Sequence, residues 1–409
     1  MQQRGEYLYA ALGEGGFRIY DISNIDNKDF SERIVTAPVS PLGQRLYVKT
    51  KHAVAVATPT TLGVDPLRKQ YPENEEQKIH LAYGFLYVAD KEEGLIVIGN
   101  KDPKSKNIIG VGTLLDGDPT NNFLERAATF NPDGILHGAR RITIAGTYAY
   151  ILTDKHLVVV SLENPFEPKV TATLGEAEGL HDPRGIQVQF RYGFVVDKDG
   201  LKVLDVTALD KPRVVKNAPV VPFKDARNLY VVRTHAFVAA GHDGLGIVNI
   251  ERPEQPKLDQ MFNDGGKISD TNDVKVGMTN ASQFAFLADG HNGLQVVQLF
   301  SPSDNPNFLG FAPKLTPKRI AQYPMHEALM ISEGIDRDRA VDESGHQLAV
   351  FGRRGSRPFT RPEMEKLFMR GGQVYTVTNT PQARPVQITD MPGVMATLKR
   401  WWDDLVAKF

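Results

Sequence analysis

One strand–turn–strand phrase recurs six times along this chain, and a chain that repeats itself at a blade-like period has few folds open to it. The most regular copies are "YAYILTDKHLVVVSLENPFEPKVTATLG" from Tyr148, "YGFVVDKDGLKVLDVTALDKPRVV" from Tyr192 and "HAFVAAGHDGLGIVNIERPEQPKL" from His235. "FAFLADGHNGLQVVQLFSPSDNPNFLGF" from Phe284, "FLYVADKEEGLIVIGN" from Phe85 and "YLYAALGEGGFRIYDISN" from Tyr7 share the frame. The starts at 148, 192, 235 and 284 are 44, 43 and 49 residues apart.

Each copy has a physical grammar. An aromatic/aliphatic strand runs into a polar turn of Asp and Gly, a second β-branched strand follows, and a Pro-containing loop such as "NPFEP" or "RPEQP" ends it. A short strand precedes each copy ("RRITIAG", "RGIQVQF", "RNLYVVR", "NDVKVGM"), and an outer one such as "KVTATLG" follows the Pro loop. Four short antiparallel strands per period predict an all-β propeller, in which each blade buries both faces against its neighbours. Six blades are expected, with a divergent seventh built from 326–380 as the alternative.

The second strand of each copy, Leu-x-Val/Ile-Val/Leu-Asp-Val, resembles the LVIVD repeat, a β-propeller repeat. The clearest matches are "LKVLDV" (Leu201–Val206), "FRIYDI" (Phe17–Ile22) and "LGIVNI" (Leu245–Ile250), and the resemblance covers about residues 6–312. Two copies depart from it: His156 replaces a turn glycine and Gly99 replaces the usual Asp. The resemblance implies an extracytoplasmic protein (periplasmic, secreted or on the cell surface). Some relatives are large chains that also carry multihaem c-type cytochrome regions, which implies a protein partner of that kind. The family name brings a scaffold and no shared reaction.

Composition narrows the partners. Lys+Arg is 48 and Asp+Glu is 49 over 409 residues, a net charge of −1, which argues against a nucleic-acid binder with a basic face. The chain has no cysteine, so it offers no thiolate zinc site, Cys nucleophile, disulfide or c-type haem attachment of its own. Any haem would therefore sit on a partner or on a region outside this sequence. No apolar run is long enough to span a bilayer, and the first residues lack a signal-peptide pattern, as if cut from something longer.

Residues 1–380 are assigned to the propeller, with 313–380 as a divergent closing region. Because the first copy starts at its second strand, this closing region is expected to supply the missing innermost strand. It reads as strands at "HEALMISEG", "HQLAVFGRR" and "GGQVYTVTN", with a helix near "RPEMEKLFM". Polar insertions interrupt the rhythm between Val48 and His80 and between Asn100 and Ala139, the latter with a short helix expected from Pro119 to Thr129. A Pro-rich linker, 381–393, leads to an amphipathic helix at 394–409. Its stripe, including Trp401 and Trp402, would dock on the propeller or anchor a partner.

Two constellations could carry chemistry. "GHDG" and "GHNG" place His242 and His291 at one turn position in two copies, with Asp289, Asp243 and Asn292 close by. Recurrence where a hairpin needs Gly, Asp or Asn favours a structural turn. Otherwise the turns could hold a divalent cation, with no further cofactor expected within the chain. Ahead of the innermost strands, "GARRITI", "DPRGIQV" and "DARNLYV" align Arg140, Arg184 and Arg227, with Asp182 and Asp225 at matching offsets and Asn272 in the sixth copy. These should gather at one mouth of the channel, as an Arg–Asp network between blades or as a site for an anion or a partner carboxylate.

No G-x-S-x-G elbow, Walker loop or zincin helix is present. The sequence therefore predicts a non-enzymatic protein-binding or scaffolding propeller, and the family resemblance implies a place in a cytochrome or other surface redox assembly. The alternatives are a hydrolase or lyase with its site at the channel mouth, and a cytosolic interaction hub.

Overall fold

A computed structural model describes residues 1–4, 7–21, 47–58, 80–99, 125–279, 282–305 and 314–332, with short paired segments between 349 and 386. Among these residues the chain forms six sheets of at least four strands, each antiparallel and built in sequence order from the inside outwards. Blade one comprises β1 (Gln2–Arg4), β2 (Tyr7–Ala11), β3 (Phe17–Asp21) and β4 (Tyr47–Val48). Blade two comprises β5 (Ala53–Ala57), β6 (Leu86–Asp90), β7 (Gly94–Ile98) and β8 (Arg126–Phe130). Blade three runs through β9 (Arg141–Ala145), β10 (Tyr148–Leu152), β11 (Leu157–Ser161) and β12 (Lys169–Leu174).

In blade four, β13 (Gly185–Gln189), β14 (Tyr192–Val196) and β15 (Gly200–Asp205) are bordered by a split outer strand, β16 (Arg213–Val214) and β17 (Val221–Pro222). Blade five holds β18 (Asn228–Val232), β19 (His235–Ala239), β20 (Leu245–Asn249) and β21 (Lys257–Phe262). Blade six holds β22 (Asp273–Thr279), β23 (Ser282–Ala288), β24 (Leu294–Phe300) and β25 (Lys318–Tyr323). The inner strands contact each other in order from β5 to β22. No helix among the described residues is long and apolar enough to cross a membrane.

The near-continuous apolar runs of the second and third strands have a direct cause. Alternate side chains point into two different gaps, so both phases of the period-2 pattern must be apolar. Leu86 and Val88 of β6 join Phe17, Ile19 and Ile96 between blades one and two. Tyr87, on the other face of the same strand, joins Val97, Ile142, Ile151 and Val158 between blades two and three. Tyr150 and Leu152 pack with Val195 and Leu204 in the next gap, and Phe194 with Leu229 and Val238 in the one after. Phe237, Val274 and Leu287 fill the gap between blades five and six.

A buried carboxylate stiffens three blades at the turn after the second strand. Asp90, Asp197 and Asp289 are fully buried. Asp289 accepts from the Ser269 and Asp270 N–H groups, from Thr271 Oγ1–H and from Asn292 Nδ2. Asp197 ties the His181 N–H to its own turn, and Asp90 does the same with His52. Each carboxylate so bolts the loop ahead of the innermost strand to the hairpin beside it.

Several expectations are corrected. The innermost strand of the first copy comes from Gln2–Arg4, which pairs antiparallel with Tyr7–Tyr9, and not from the C-terminal region. A strand of three residues is too short to show alternation. The helix expected over Pro119–Thr129 is absent from its described part, where Arg126–Phe130 pairs with β7 as the outer strand. Blade two needs a fourth strand there, and that pairing overrides the helix preference of "LERAA". "HEALMISEG" forms no strand within 326–332; Ala328 makes a single bridge to Gly290. Short strands do occur in "HQLAVFGRR" (Ala349–Val350, Arg353–Arg354) and "GGQVYTVTN" (Gln373–Tyr375).

The two ends of the described blades meet through 326–332. The Ile331 N–H donates to Asp273 Oδ2 of blade six (3.0 Å), and Met330 Sδ lies 3.1 Å from the nitrogen of Met1. The helix near "RPEMEKLFM", the insertions 59–79 and 100–124 and the 394–409 helix with Trp401 and Trp402 lie outside the described residues.

Replacing Asp289 by Ala strips one acceptor from four donors at once. Unsatisfied buried donors cost about 1–3 kcal/mol each, so we expect a loss of at least about 3 kcal/mol in urea unfolding at neutral pH. A loss below about 1 kcal/mol would show that the bolt is not structural.

Candidate functional site

Arg140, Arg184, Arg227 and Asn272 occupy one backbone position in four successive blades. Each donates its N–H to the last residue of its blade's second strand or the equivalent: Leu152 (2.7 Å), Val196 (2.8 Å), Ala239 (2.8 Å) and Ala288 (2.7 Å). The fold therefore repeats the side chains by rotation around the channel, and the loops ahead of them add Asp182, Asp225 and Asp270. The structure brings all seven together.

They form a ladder that runs across blades. Arg140 Nη1 donates to Asp182 Oδ1 of the next blade. Arg184 donates through Nε to Asp182 (3.0 Å) and through Nη1 to Asp225 (3.1 Å). Arg227 repeats this with Asp225 (2.8 Å) and Asp270 (2.7 Å), and adds Asn272 Oδ1 (2.7 Å). Asn272 ends the run by donating to the Ala328 carbonyl (3.0 Å). Each guanidinium fork thus spans a blade boundary, which is the network alternative of the two that the sequence left open.

The electrostatics follow from the pairing. Burial pushes the Asp182 carboxyl up, but hydrogen bonds from Arg140 and Arg184 outweigh it and hold the group below the usual carboxylate range. Burial would lower Arg227, and the bonds to Asp270 and Asp225 reverse that. Both shifts keep the groups charged at neutral pH.

The histidine turns lie on the same rim without converging on Asp289. "GHDG" and "GHNG" connect second to third strands, with Gly241 (φ 55°) and Gly290 (φ 49°) in the left-handed region that the turn requires. The His242 side chain is 91% exposed, with Nδ1 3.9 Å from Asp243. His291 Nδ1 lies 2.9 Å from the His326 carbonyl. Asp289 faces into the blade, with both oxygens already engaged.

The profile of the LVIVD repeat family matches residues 4–36, 76–100 and 138–172, which fall on blades one, two and three. Blades four to six repeat the same strand order. The chain is an LVIVD-repeat propeller. The third match includes the copy in which His156 replaces a turn glycine, so that departure leaves the repeat intact.

No curated protein is a significant match to this propeller. It is similar to a putative 6-phosphogluconolactonase from Bacteroides uniformis (9% identity, TM-score 0.48, covering 93% of this chain and 95% of that one). It also resembles a protein from Lactobacillus plantarum (11%, TM-score 0.48, 79% and 83%). A third likeness is the Cps50 (Swd1) β-propeller domain of Myceliophteria thermophila (11%, TM-score 0.45, 81% and 88%).

The LVIVD-repeat propeller carries a further charged cluster that strand patterning concealed. His181, Asp197 and Asp199 bring ligand atoms within 4.8 Å of one another, a spacing that suits a metal ion. An ammonium stands among them. Lys202 Nζ donates to Asp197 Oδ2 (2.6 Å), Asp199 Oδ2 (2.6 Å) and the Gly179 carbonyl (2.8 Å). Asp199 is held below its usual range by hydrogen bonds from Lys202 and His181. The signal was a lysine inside "LKVLDV", where blades two, three and five place Ile96, Val158 and Gly246, although blades one and six place Arg18 and Gln295 there.

Two outcomes check these networks. Asp182 titrates below its unfolded value, so its contribution is complete above about pH 4 and is lost as pH falls through the folded value. Urea midpoints between pH 2 and 6 should therefore fall less steeply in Asp182→Asn than in the native chain, and parallel curves would refute the ladder's role. Lys202→Met leaves a buried carboxylate unpaired and should cost about 3 kcal/mol. Mn²⁺ should then raise the melting temperature of that variant and not of the native chain; equal responses would show that the ammonium does not occupy the cation position.

Proposed function

We propose that this LVIVD-repeat propeller is a non-enzymatic protein-interaction module that works outside the cytoplasm and offers the Phe190 end of blade four to a protein partner. Phe190 carries the proposal. It sits in the two-residue turn between β13 and β14, 89% exposed, with φ 55°. The sibling turns place Gly146 and Arg233 in the same left-handed conformation (φ 58° and 54°). Holding a phenylalanine there costs about 1 kcal/mol, and leaving its ring in water forgoes about 2 kcal/mol of burial. Folding gains nothing from this side chain, whereas a partner that covered it would.

The surroundings suit a contact rim. Arg191 lies over the Tyr192 ring at 5.1 Å, and Tyr192 donates to Glu254 (2.8 Å), so the neighbouring side chains are held in place. An aromatic side chain beside ordered polar groups suits an interface hot spot. At the channel mouth, the shifts of Asp182 and Arg227 move away from neutrality, the opposite of acid–base tuning. Export and a multihaem cytochrome partner are supported by the family resemblance.

A photo-crosslinking amino acid at position 190, incorporated in cells that produce this protein, tests the reading. One defined protein adduct is expected, and none from the same probe at the exposed Lys169; haem staining of the adduct then tests the cytochrome assignment. Phe190→Gly should leave the melting temperature unchanged or higher. No adduct at 190, or a variant destabilised by more than about 1 kcal/mol, would mean that the ring serves the fold itself.

A further inference from the structure

The ladder is incomplete at one end. In blades four, five and six an aspartate stands two residues ahead of the ladder position: Asp182 before Arg184, Asp225 before Arg227 and Asp270 before Asn272. Blade three has Gly138 there, ahead of Arg140. Arg184 and Arg227 therefore each bridge two carboxylates, while Arg140 reaches Asp182 alone.

The next residue deepens the deficit. Arg141 opens the inner strand β9, at the level of Ala55 in blade two and Gly185 in blade four. Farther round, Asn228 and Asp273 at this level bond each other at 2.6 Å. Arg141 has neighbours without a polar side chain instead: an alanine, and a glycine on which a Cβ would meet Asn228 Oδ1 at 2.7 Å. Among the described residues the Arg141 side chain makes no hydrogen bond or ion pair, and its Nε is buried without a partner. A desolvated donor left this way carries a penalty that an acceptor would remove.

We propose that the gap at Gly138 is a binding site for a small oxyanion, carboxylate or phosphate, held by Arg141, Lys91 and the unshared half of the Arg140 guanidinium. All of these line one cavity of about 620 Å³, the size of small-ligand pockets. Lys91 makes no side-chain ion pair with the described residues. The cavity holds one acid, Asp154, whose Oδ1 lies 2.7 Å from where a Cβ on Gly138 would stand. It leans into the gap from the turn, but forms no ion pair with Arg140. One carboxylate thus faces two unpaired cations and a half-paired one. A ligand oxyanion would take the place that Asp182 and Asp225 fill in the neighbouring blades, and the site does not depend on any protein partner.

Isothermal titration of the full chain at low ionic strength, with citrate and with pyrophosphate, tests this. At least one should bind, and which one identifies the oxyanion. Arg141→Gln should weaken that binding about tenfold or more, the worth of a charge-assisted pair. Lys91→Gln should weaken it as well, and serves as the test if the Arg141 variant does not fold. Asp154→Asn should tighten it by removing the competing carboxylate, and Arg213→Gln, on the outer strand of blade four, should leave it unchanged. Absence of binding by the native chain, or native-like affinity in Arg141→Gln or Lys91→Gln, would overturn the proposal.

Discussion

A blade of four short strands has two apolar faces and no means of covering either by itself, so every other feature of this molecule depends on stacking one blade against the next. The clusters that fill the five gaps are built by alternation within single strands: Leu86 and Tyr87 are sequence neighbours yet belong to different cores. Removing one blade would expose apolar faces on both sides of the break. This is why the polar devices, the buried Asp289 bolt and the Arg–Asp ladder, act across or beside gaps and not within strands.

The ladder shows how a repeat turns charge into geometry. One backbone position, rotated from blade to blade, sets each arginine at the reach of the next blade's aspartate, and every shared carboxylate joins two forks. Charges so arranged are neutralised by each other and held in one conformation. A repeat also makes its exceptions conspicuous. Gly138 interrupts the aspartate series, Phe190 stands where a sibling turn has glycine, and Lys202 buries an ammonium at a strand position that the two adjacent blades fill with Val158 and Gly246. Each exception departs from what folding alone prefers, and two of the three are the residues on which the functional proposals rest.

Much of this was legible along the chain. The aligned "GARR", "DPRG" and "DARN" already placed Arg140, Arg184 and Arg227 at one mouth, because a repeat converts sequence register into spatial register. The glycine in the first of these was equally visible, but its meaning was not. An absent carboxylate matters only once Asp182 and Asp225 are seen to be shared. The Asp197–Lys202–His181 cluster was hidden for another reason: its members come from a turn, a strand and a preceding loop, which the bolt at Asp197 draws together.

The sequence by itself determined the repeat, the strand order within a blade and which faces are apolar, since these depend on local alternation and on turn residues. Tertiary structure alone decided how the edges are completed and which charges meet. Gln2–Arg4 became the inner strand of blade one, and Arg126–Phe130 became an outer strand in place of a helix, because an unpaired blade edge takes whatever segment can satisfy its backbone groups. Whether a guanidinium is paired or left open was likewise set by the neighbouring blade, at separations of some forty residues that no local pattern records.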